Sequence, residues 1–255
     1  MKNFFLILFL FTTSAEIFSQ PIKGKSGQEL LAVLDDNTNL GSGLIKGNLT
    51  IIKRTGDKVT WKLNVFRRRE DSLWIFIREK GDVEAKFLFK DSGDKVYHYN
   101  ALSSKLFLKN EEEKYNTFLT TGFGYMEISG YSYQASYNPT IEPSKKKEEE
   151  GLVRVVLKPI ISYNFKKLVA FFKDKGTKTE KLDFFDKNDH LFKILYFREG
   201  VVRVGKNHKI TEVPFLSRYE MFDVMTETIS IIDFYEIDRD VLPDSSLFDV
   251  ANIHK

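Results

Sequence analysis

Residues 59–65 read VTWKLNV, so that Trp61, Leu63 and Val65 alternate with polar side chains. A period of two is typical of a half-buried β-strand, whose successive side chains point to opposite faces of a sheet. Residues 55–57, Thr-Gly-Asp, precede this stretch and form a turn signal. The pattern therefore predicts a strand with one apolar face that carries Trp61, Leu63 and Val65.

Short strands and turns continue on both sides of this stretch. Residues 73–77 are apolar on both faces, which predicts a strand covered on both sides. Phe87 and Phe89 share one face of a further strand. Other strands are predicted at residues 49–53, 96–99, 106–108, 152–157, 167–172 (whose length also permits a helix), 179–185, 192–197, 212–223 and 226–237. Turns are predicted at residues 91–94, at 186–189 and near Glu199-Gly200. Such a series indicates a mainly β chain with an antiparallel meander.

A few segments depart from the strand pattern. Ser26 and Glu29 have the spacing of a capping box and are followed by a leucine-rich stripe, which predicts a short helix. Residues 118–129 are not cleanly periodic and are predicted as a loop with a short helix. Residues 145–150, KKKEEE, are predicted as a solvated loop tip inside the sheet, and residues 245–250 as a helical turn. No linker divides the chain, so we expect a single domain over residues 21–255.

Residues 1–20 have the features of a secretory signal peptide. Lys2 precedes the apolar run Phe4–Phe11, which is too short to span a bilayer. Cleavage is expected after Ala15 or near Gln20, and a buried N-terminal helix is the alternative interpretation. The chain has no cysteine, hence no disulfide, thiolate metal site or acylated anchor. We therefore expect a soluble, exported protein in a bacterial periplasm or outside the cell.

Residue patterns that would indicate catalysis are missing from the sequence. Its four histidines lack the spacing of a zinc motif, and no nucleophile elbow, phosphate loop or dinucleotide fingerprint is present. Residues 186–189 resemble a fragment of a calcium loop, but a hairpin turn is the better interpretation. His98, between Tyr97 and Tyr99, is interpreted as structural. The net charge of +3 is too small to indicate nucleic acid binding. We expect no catalytic residue, no metal and no cofactor.

Residues 115–133, YNTFLTTGFGYMEISGYSY, resemble a motif of a known family. The stretch is similar to one in the outer-membrane lipoprotein-sorting proteins, the family related to the Lol lipoprotein carriers. Gly122 stands where that motif has an aspartate. The matching positions are Phe118 and Leu119 at its start, and Phe123, Tyr125, Glu127 and Ile128 at its end. Weaker similarities follow in the same order as in the family at residues 96–106, 153–159, 171–175, 184–186 and 228–248.

The resemblance implies an incomplete, strongly curved antiparallel β-barrel with helices and loops covering its concave face. In that family the apolar space between sheet and helices takes acyl chains, which implies a non-catalytic periplasmic carrier of lipoprotein acyl chains or other envelope lipids. An inner-membrane transporter or an outer-membrane acceptor is an expected partner. The candidate lining residues are Trp61, Leu63, Val65, Phe87, Phe89, Phe118, Phe123 and Tyr125.

Other interpretations of the same residues remain open. The phenylalanines can be ordinary core residues of a structural envelope module that carries no lipid, and an enzyme is the third and least favoured class. Residues 116–130 combine three glycines with large apolar side chains. Glycine raises the entropy cost of ordering, whereas burial of the apolar groups favours it. The segment is therefore either a displaceable cover over the apolar face or an ordinary packed connection.

Overall fold

The computed structural model describes residues 25–144, 147–161 and 165–255. The predicted signal peptide lies outside these ranges, as do residues 145 and 146 of the KKKEEE run. Within the described ranges the chain is mainly β-structure with three short α-helices.

The first half of the chain forms six consecutive antiparallel strands, each paired with the next. They are β1 (Gly43–Ile52), β2 (Lys58–Arg68), β3 (Asp71–Ile77), β4 (Val83–Lys90), β5 (Lys95–Asn100) and β6 (Lys105–Leu108). On β2 the burial alternates as the sequence predicts, with Trp61, Leu63 and Val65 buried. The hairpin of β5 and β6 was also predicted and is confirmed.

The second half forms seven strands in the same sheet. They are β7 (Tyr137–Glu142), β8 (Val153–Pro159), β9 (Phe165–Lys173), β10 (Lys178–Asp186), β11 (Leu191–Lys206), β12 (Lys209–Asp223) and β13 (Thr228–Asp238). The last strand, β13, pairs with β1 and so joins the two halves in the order β6-β5-β4-β3-β2-β1-β13-β12-β11-β10-β9-β8-β7. The sheet is open, with β6 and β7 as its edges, and the prediction of an incomplete antiparallel barrel is confirmed.

The turn predicted near Glu199-Gly200 is wrong. Strand β11 runs through both residues, with a register shift against β12 between Arg198 and Glu199. A Cβ atom at Gly200 would lie 2.4 Å from Ser217 Oγ, so glycine here allows close approach of the paired strand at a bulge. The chain reverses instead at Asn207 and His208, whose backbone N–H groups both donate to the Asp240 carboxylate at 2.7 Å.

Three helices lie against one face of this sheet. They are α1 (Gly27–Thr38), α2 (Tyr125–Ser129) and α3 (Tyr133–Ser136). The predicted capping box of α1 is confirmed, because Ser26 Oγ accepts from the Glu29 N–H at 3.2 Å and the Glu29 carboxylate accepts from the Ser26 N–H at 2.5 Å. Side chains from all three helices belong to the same buried apolar cluster as the inner residues of the strands.

The opposite face of the sheet is partly covered by the C-terminal residues. Leu73 and Leu88 pack there against Phe248 and Ile253, which lie in and beside two short 3-10 turns, Ser245–Phe248 and Val250–Asn252. The prediction that β3 is covered on both sides is therefore confirmed. Among the described residues, no helix combines the length and apolarity needed to cross a membrane.

Candidate functional site

All eight candidate lining residues lie in one buried apolar cluster on the helix-covered face, here called the inner face. Trp61, Leu63 and Val65 come from β2, and Phe87 and Phe89 come from β4. The others belong to residues 116–130, here called the covering segment, which includes α2. They are Phe118, Phe123 and Tyr125. The sequence pattern thus identified residues that meet across the interface between sheet and cover.

Aromatic rings form the contact between the sheet and the covering segment. The Phe87 ring lies 5.0 Å from that of Phe118 and 5.1 Å from that of Tyr125, both edge-on. The rings of Phe118 and Tyr125 are 5.5 Å apart. Each such pair is worth about 0.5–1.5 kcal/mol beyond area burial. The covering segment therefore packs on the sheet as a continuation of its core.

One polar contact lies within this aromatic cluster. The Tyr125 hydroxyl lies 2.8 Å from His98 Nδ1. Burial, together with nearby Lys109, lowers the pKa of His98 to about 4, and burial raises the pKa of Tyr125 to about 12. Both side chains are therefore neutral at neutral pH, which agrees with the interpretation of His98 as structural.

A buried ion pair joins the covering segment to the sheet, and the sequence interpretation missed it. Lys193 Nζ lies 2.8 Å from Glu127 Oε1, with side-chain exposures of 6% and 4%. The other Glu127 oxygen accepts from the Gly124 N–H at the start of α2. Lys193 Nζ also lies 4.6 Å from the centre of the Phe184 ring. The sequence does place Lys193 on the inner face, because it precedes the buried Leu195 and Phe197 at a spacing of two on the same strand.

Gly122 lies where the covering segment touches β12 and β13. Its N–H donates to Ser230 Oγ at 3.0 Å. A Cβ atom at this position would lie 2.8 Å from Met221 Cγ. An aspartate, which the related motif has here, therefore requires Met221 to move, and the departure from the motif matches the packing of this chain.

The cavities beneath and beside the covering segment differ in size. A small cavity of about 40 Å³ lies between the inner face and the connection from α2 to α3. Two open grooves of about 470 and 360 Å³ flank the start of the covering segment and share Thr117, Gly122 and Asp223. The inner face is therefore closed in this structure, and the larger spaces lie beside the cover.

The open sheet with helices on one face has close structural counterparts. A protein domain from Vibrio parahaemolyticus, described as an outer membrane lipoprotein-sorting domain, superposes with a TM-score of 0.71 at 14% identity, over 90% of this chain and 98% of that one. A LolA superfamily protein from Nitrosomonas europaea gives a TM-score of 0.65 at 16% identity, over 89% of this chain and 99% of that one. This chain has the LolA-like fold. The resemblance seen in the sequence is confirmed at the level of the fold.

A third solved structure is similar over nearly the same length. A DUF1329 family protein from Desulfovibrio piger gives a TM-score of 0.69 at 16% identity, over 88% of this chain and 96% of that one. No protein-family model and no curated protein matches the sequence. At these identities the similarity lies in the arrangement of the strands and helices.

Proposed function

We propose that this LolA-like chain is a non-catalytic carrier that binds acyl chains of a lipoprotein or another envelope lipid on its inner face. The observation that carries the proposal is the largely apolar inner face, covered by a short segment that is attached at a few polar points. Those points include the Lys193–Glu127 pair, the bond from Lys193 to the Gly122 carbonyl, and the bonds from Gly122 to Ser230 and from Tyr125 to His98. Phe118, Phe123 and Tyr125 occupy the surface that an acyl chain would take.

Loading requires the covering segment to move. The cavity of about 40 Å³ admits a group of a few atoms and no acyl chain. Burial of an acyl chain contributes about 0.8 kcal/mol per methylene, and a buried large apolar side chain contributes about 1.5–3 kcal/mol. A long acyl chain therefore offsets the loss of the three aromatic residues of the cover. The flanking grooves provide space on either side of Thr117 and Gly122 for the displaced covering segment.

The setting we propose is a bacterial periplasm, with the protein exported and soluble after removal of residues 1–20. Two of the similar structures are a lipoprotein-sorting domain and a LolA superfamily protein, which supports lipid or lipoprotein as cargo. A membrane transporter that delivers the cargo and an outer-membrane acceptor are the partners that such a role needs. Nucleic acid is not among the proposed partners, given the net charge of +3.

The closed inner face also supports a second candidate, a structural envelope module whose aromatic residues are permanent core. Palmitate binding separates the two. Both tryptophans of the chain, Trp61 and Trp74, are buried in the inner-face cluster, so their fluorescence reports on ligand entry without a label. We expect a saturable change when the purified protein is titrated with palmitate, and lipid in organic extracts of the purified protein. Absence of both results would favour the structural module.

A matched pair of serine variants tests whether the cover competes with the ligand. Ser230→Ala removes the acceptor for the Gly122 N–H and leaves the apolar lining unchanged. The lost bond weakens the closed state by about 1 kcal/mol, so palmitate should bind roughly fivefold more tightly. Ser217→Ala is the control, because Ser217 is buried on β12 beside Gly200, outside the contact with Gly122. Equal affinities in the two variants would contradict the competition.

A further inference from the structure

The apolar row of β2 ends in a charged residue on the same face. Trp61, Leu63 and Val65 are followed at the same spacing by Arg67, and the register pairs Arg67 directly with Ser72 on β3. Because side chains on a strand alternate between faces, Arg67 and Ser72 both belong to the inner face. A guanidinium group therefore lies at one end of the row on which we place the acyl chain.

Arg67 and Ser72 line the small cavity together with Tyr219 from β12. The Tyr219 ring packs edge-on against two phenylalanines, with its centre 5.4 Å from that of Phe197 and 5.8 Å from that of Phe234. The cavity volume is about 40 Å³, whereas one water molecule needs about 10–15 Å³ on the same measure. A carboxylate or a phosphate oxygen group therefore fits without displacing the cover.

Three of the polar groups that line this cavity, those of Arg67, Ser72 and Tyr219, lack protein partners in the described part of the chain. Ser72 and Tyr219 are 3% and 7% exposed, and neither hydroxyl has a hydrogen-bond partner among the described residues. The Arg67 guanidinium likewise makes no hydrogen bond or ion pair with any described residue. Burying such groups without partners is unfavourable, and a ligand that accepts their hydrogen bonds would remove this cost. All three groups can donate, which suits an acceptor of negative charge.

Local electrostatics favours an anion in this cavity. Burial lowers the pKa of Arg67; Tyr219 acts in the opposite direction, and the nearby Arg239 guanidinium lowers the pKa further. Burial raises the pKa of Tyr219, so its hydroxyl stays protonated and able to donate. Glu127 also lines the cavity, but its carboxylate is already held by Lys193 and by the Gly124 N–H.

The backbone of the cover leaves room for the guanidinium. Gly130 ends α2 with φ of +78°, and a Cβ atom there would lie 2.9 Å from Arg67 Nη2. A side chain at this position would push against the guanidinium, in addition to the strain of the left-handed conformation. Glycine at this position therefore leaves room for the Arg67 guanidinium under the connection from α2 to α3.

We propose that Arg67, Ser72 and Tyr219 form a subsite for the anionic oxygen group, a carboxylate or a phosphate, of an acyl lipid whose chain lies along Trp61, Leu63 and Val65. The subsite rests on the proposed carrier function and adds a preference for one end of the ligand. Arginine offers a planar pair of donors that matches both oxygen groups. The two hydroxyls supply donors from the neighbouring strand and from across the cavity.

The test compares ligands that share a chain and differ in charge. The intact protein is titrated with palmitate, with cetyl alcohol and with inorganic phosphate, and the fluorescence of Trp61 and Trp74 is followed. We expect palmitate to bind roughly tenfold or more tightly than cetyl alcohol, since hydrogen bonds to a charged group are the strong ones. Arg67→Gln should remove this preference and leave cetyl alcohol binding intact. Arg68→Gln, an exposed arginine on the opposite face of the same strand, should keep the preference.

Each other outcome has a defined meaning. Equal affinity of the intact protein for palmitate and cetyl alcohol would overturn the subsite, leave the carrier function standing and indicate a cavity that holds only water. Binding of neither lipid would overturn both proposals. Inorganic phosphate that binds as tightly as palmitate, and that depends on Arg67, would show a site for free anions and overturn the lipid subsite.

Tyr219→Phe keeps the test decisive if Arg67→Gln folds poorly. The change removes a buried hydroxyl without a partner, so the ligand-free protein should be no less stable. Palmitate should nevertheless bind several-fold more weakly, with cetyl alcohol unaffected, a combination that a purely structural tyrosine does not produce. An unchanged ratio between the two ligands would exclude Tyr219 from the subsite.

Discussion

The helix α1 and the covering segment lie on the same face of the sheet, yet they are attached differently. The helix has twelve residues, begins with a complete capping box and buries Leu30, Leu31 and Leu34. Its Asp35 accepts hydrogen bonds from the first residues of α3. The covering segment contains only the five-residue α2, and its polar attachments are few. Helix α1 is thus a packed part of the core, whereas the covering segment is attached to the sheet by a few individual polar contacts.

The difference shows which part of the cover can move. An amphipathic helix with a satisfied N-terminus is removed only by exposing its buried leucines, at about 1.5–3 kcal/mol for each side chain. In the covering segment an incoming acyl chain replaces the apolar contacts, so only the polar contacts are lost outright. We therefore expect ligand binding to displace the covering segment and to leave α1 in place.

The largest effect is expected from breaking the buried ion pair. Lys193→Met leaves the Glu127 carboxylate buried without its cation. Removing one partner of a buried pair costs about 3–5 kcal/mol, and urea unfolding should show a loss of this size. Palmitate should also bind more tightly, because the closed state is the one weakened.

A double variant serves as the control for this prediction. Lys193→Met combined with Glu127→Gln removes both charges and keeps an acceptor for the Gly124 N–H. Most of the lost stability should return, since neutral replacement of a buried pair is often tolerated. A double variant as unstable as the single one would mean that Lys193 acts by packing against Phe184 rather than through Glu127.

A smaller effect is expected on the side of α1. Asp35 accepts from Ser132 Oγ and the Tyr133 N–H at 2.7 Å, and from the Gln134 N–H at 3.2 Å. Asp35→Ala should cost about 1–2 kcal/mol in urea unfolding, as does loss of a helix cap, and Asp35→Asn should cost less. Palmitate affinity should stay constant in both variants. A change comparable to that in Ser230→Ala would mean that α1 also moves on loading.

A comparable effect is expected from pH. The pKa of His98 is about 4 in the fold, against an ordinary value of 6.5. At a pH between these two values the unfolded chain binds a proton at His98 that the folded chain does not bind. The free energy of unfolding therefore falls as the pH drops from 6.5 to 4. Below pH 4 both states are protonated at His98 and the loss goes no further. After discount for partial exposure the loss is about 1–2 kcal/mol. His98→Phe should reduce the acid sensitivity by that amount, and identical pH profiles would contradict it.

Local patterns predicted most of the fold. The alternation around Trp61, the capping box at Ser26 and the double-sided run at residues 73–77 each determine a local structure, and all three are confirmed. Residues 118–129 were also predicted correctly as a loop with a short helix. The error at Gly200 arose because glycine serves both turns and bulges, and only the partner strand decides between them. Strand β7 and helix α3 were not predicted.

The polar contacts of the site could not be predicted from these local patterns. The sequence pattern shows that Lys193 and Arg67 share the inner face of their strands, but not which groups they meet there. Glu127 is 66 residues from Lys193, and the cavity beside Arg67 depends on β12 and on Gly130. Such contacts follow from the strand order β2-β1-β13-β12-β11, which local periodicity does not determine.

Hydrogen exchange with and without palmitate tests the central claim, that the covering segment moves and the rest of the inner face does not. Amides of residues 116–130 should change in protection on loading, while those of α1 and of residues 59–65 and 226–237 keep theirs. The result must be obtained at a palmitate concentration that saturates the tryptophan signal. Equal protection of residues 116–130 in the two states, or a change spread evenly over α1 and the strands, would contradict the account.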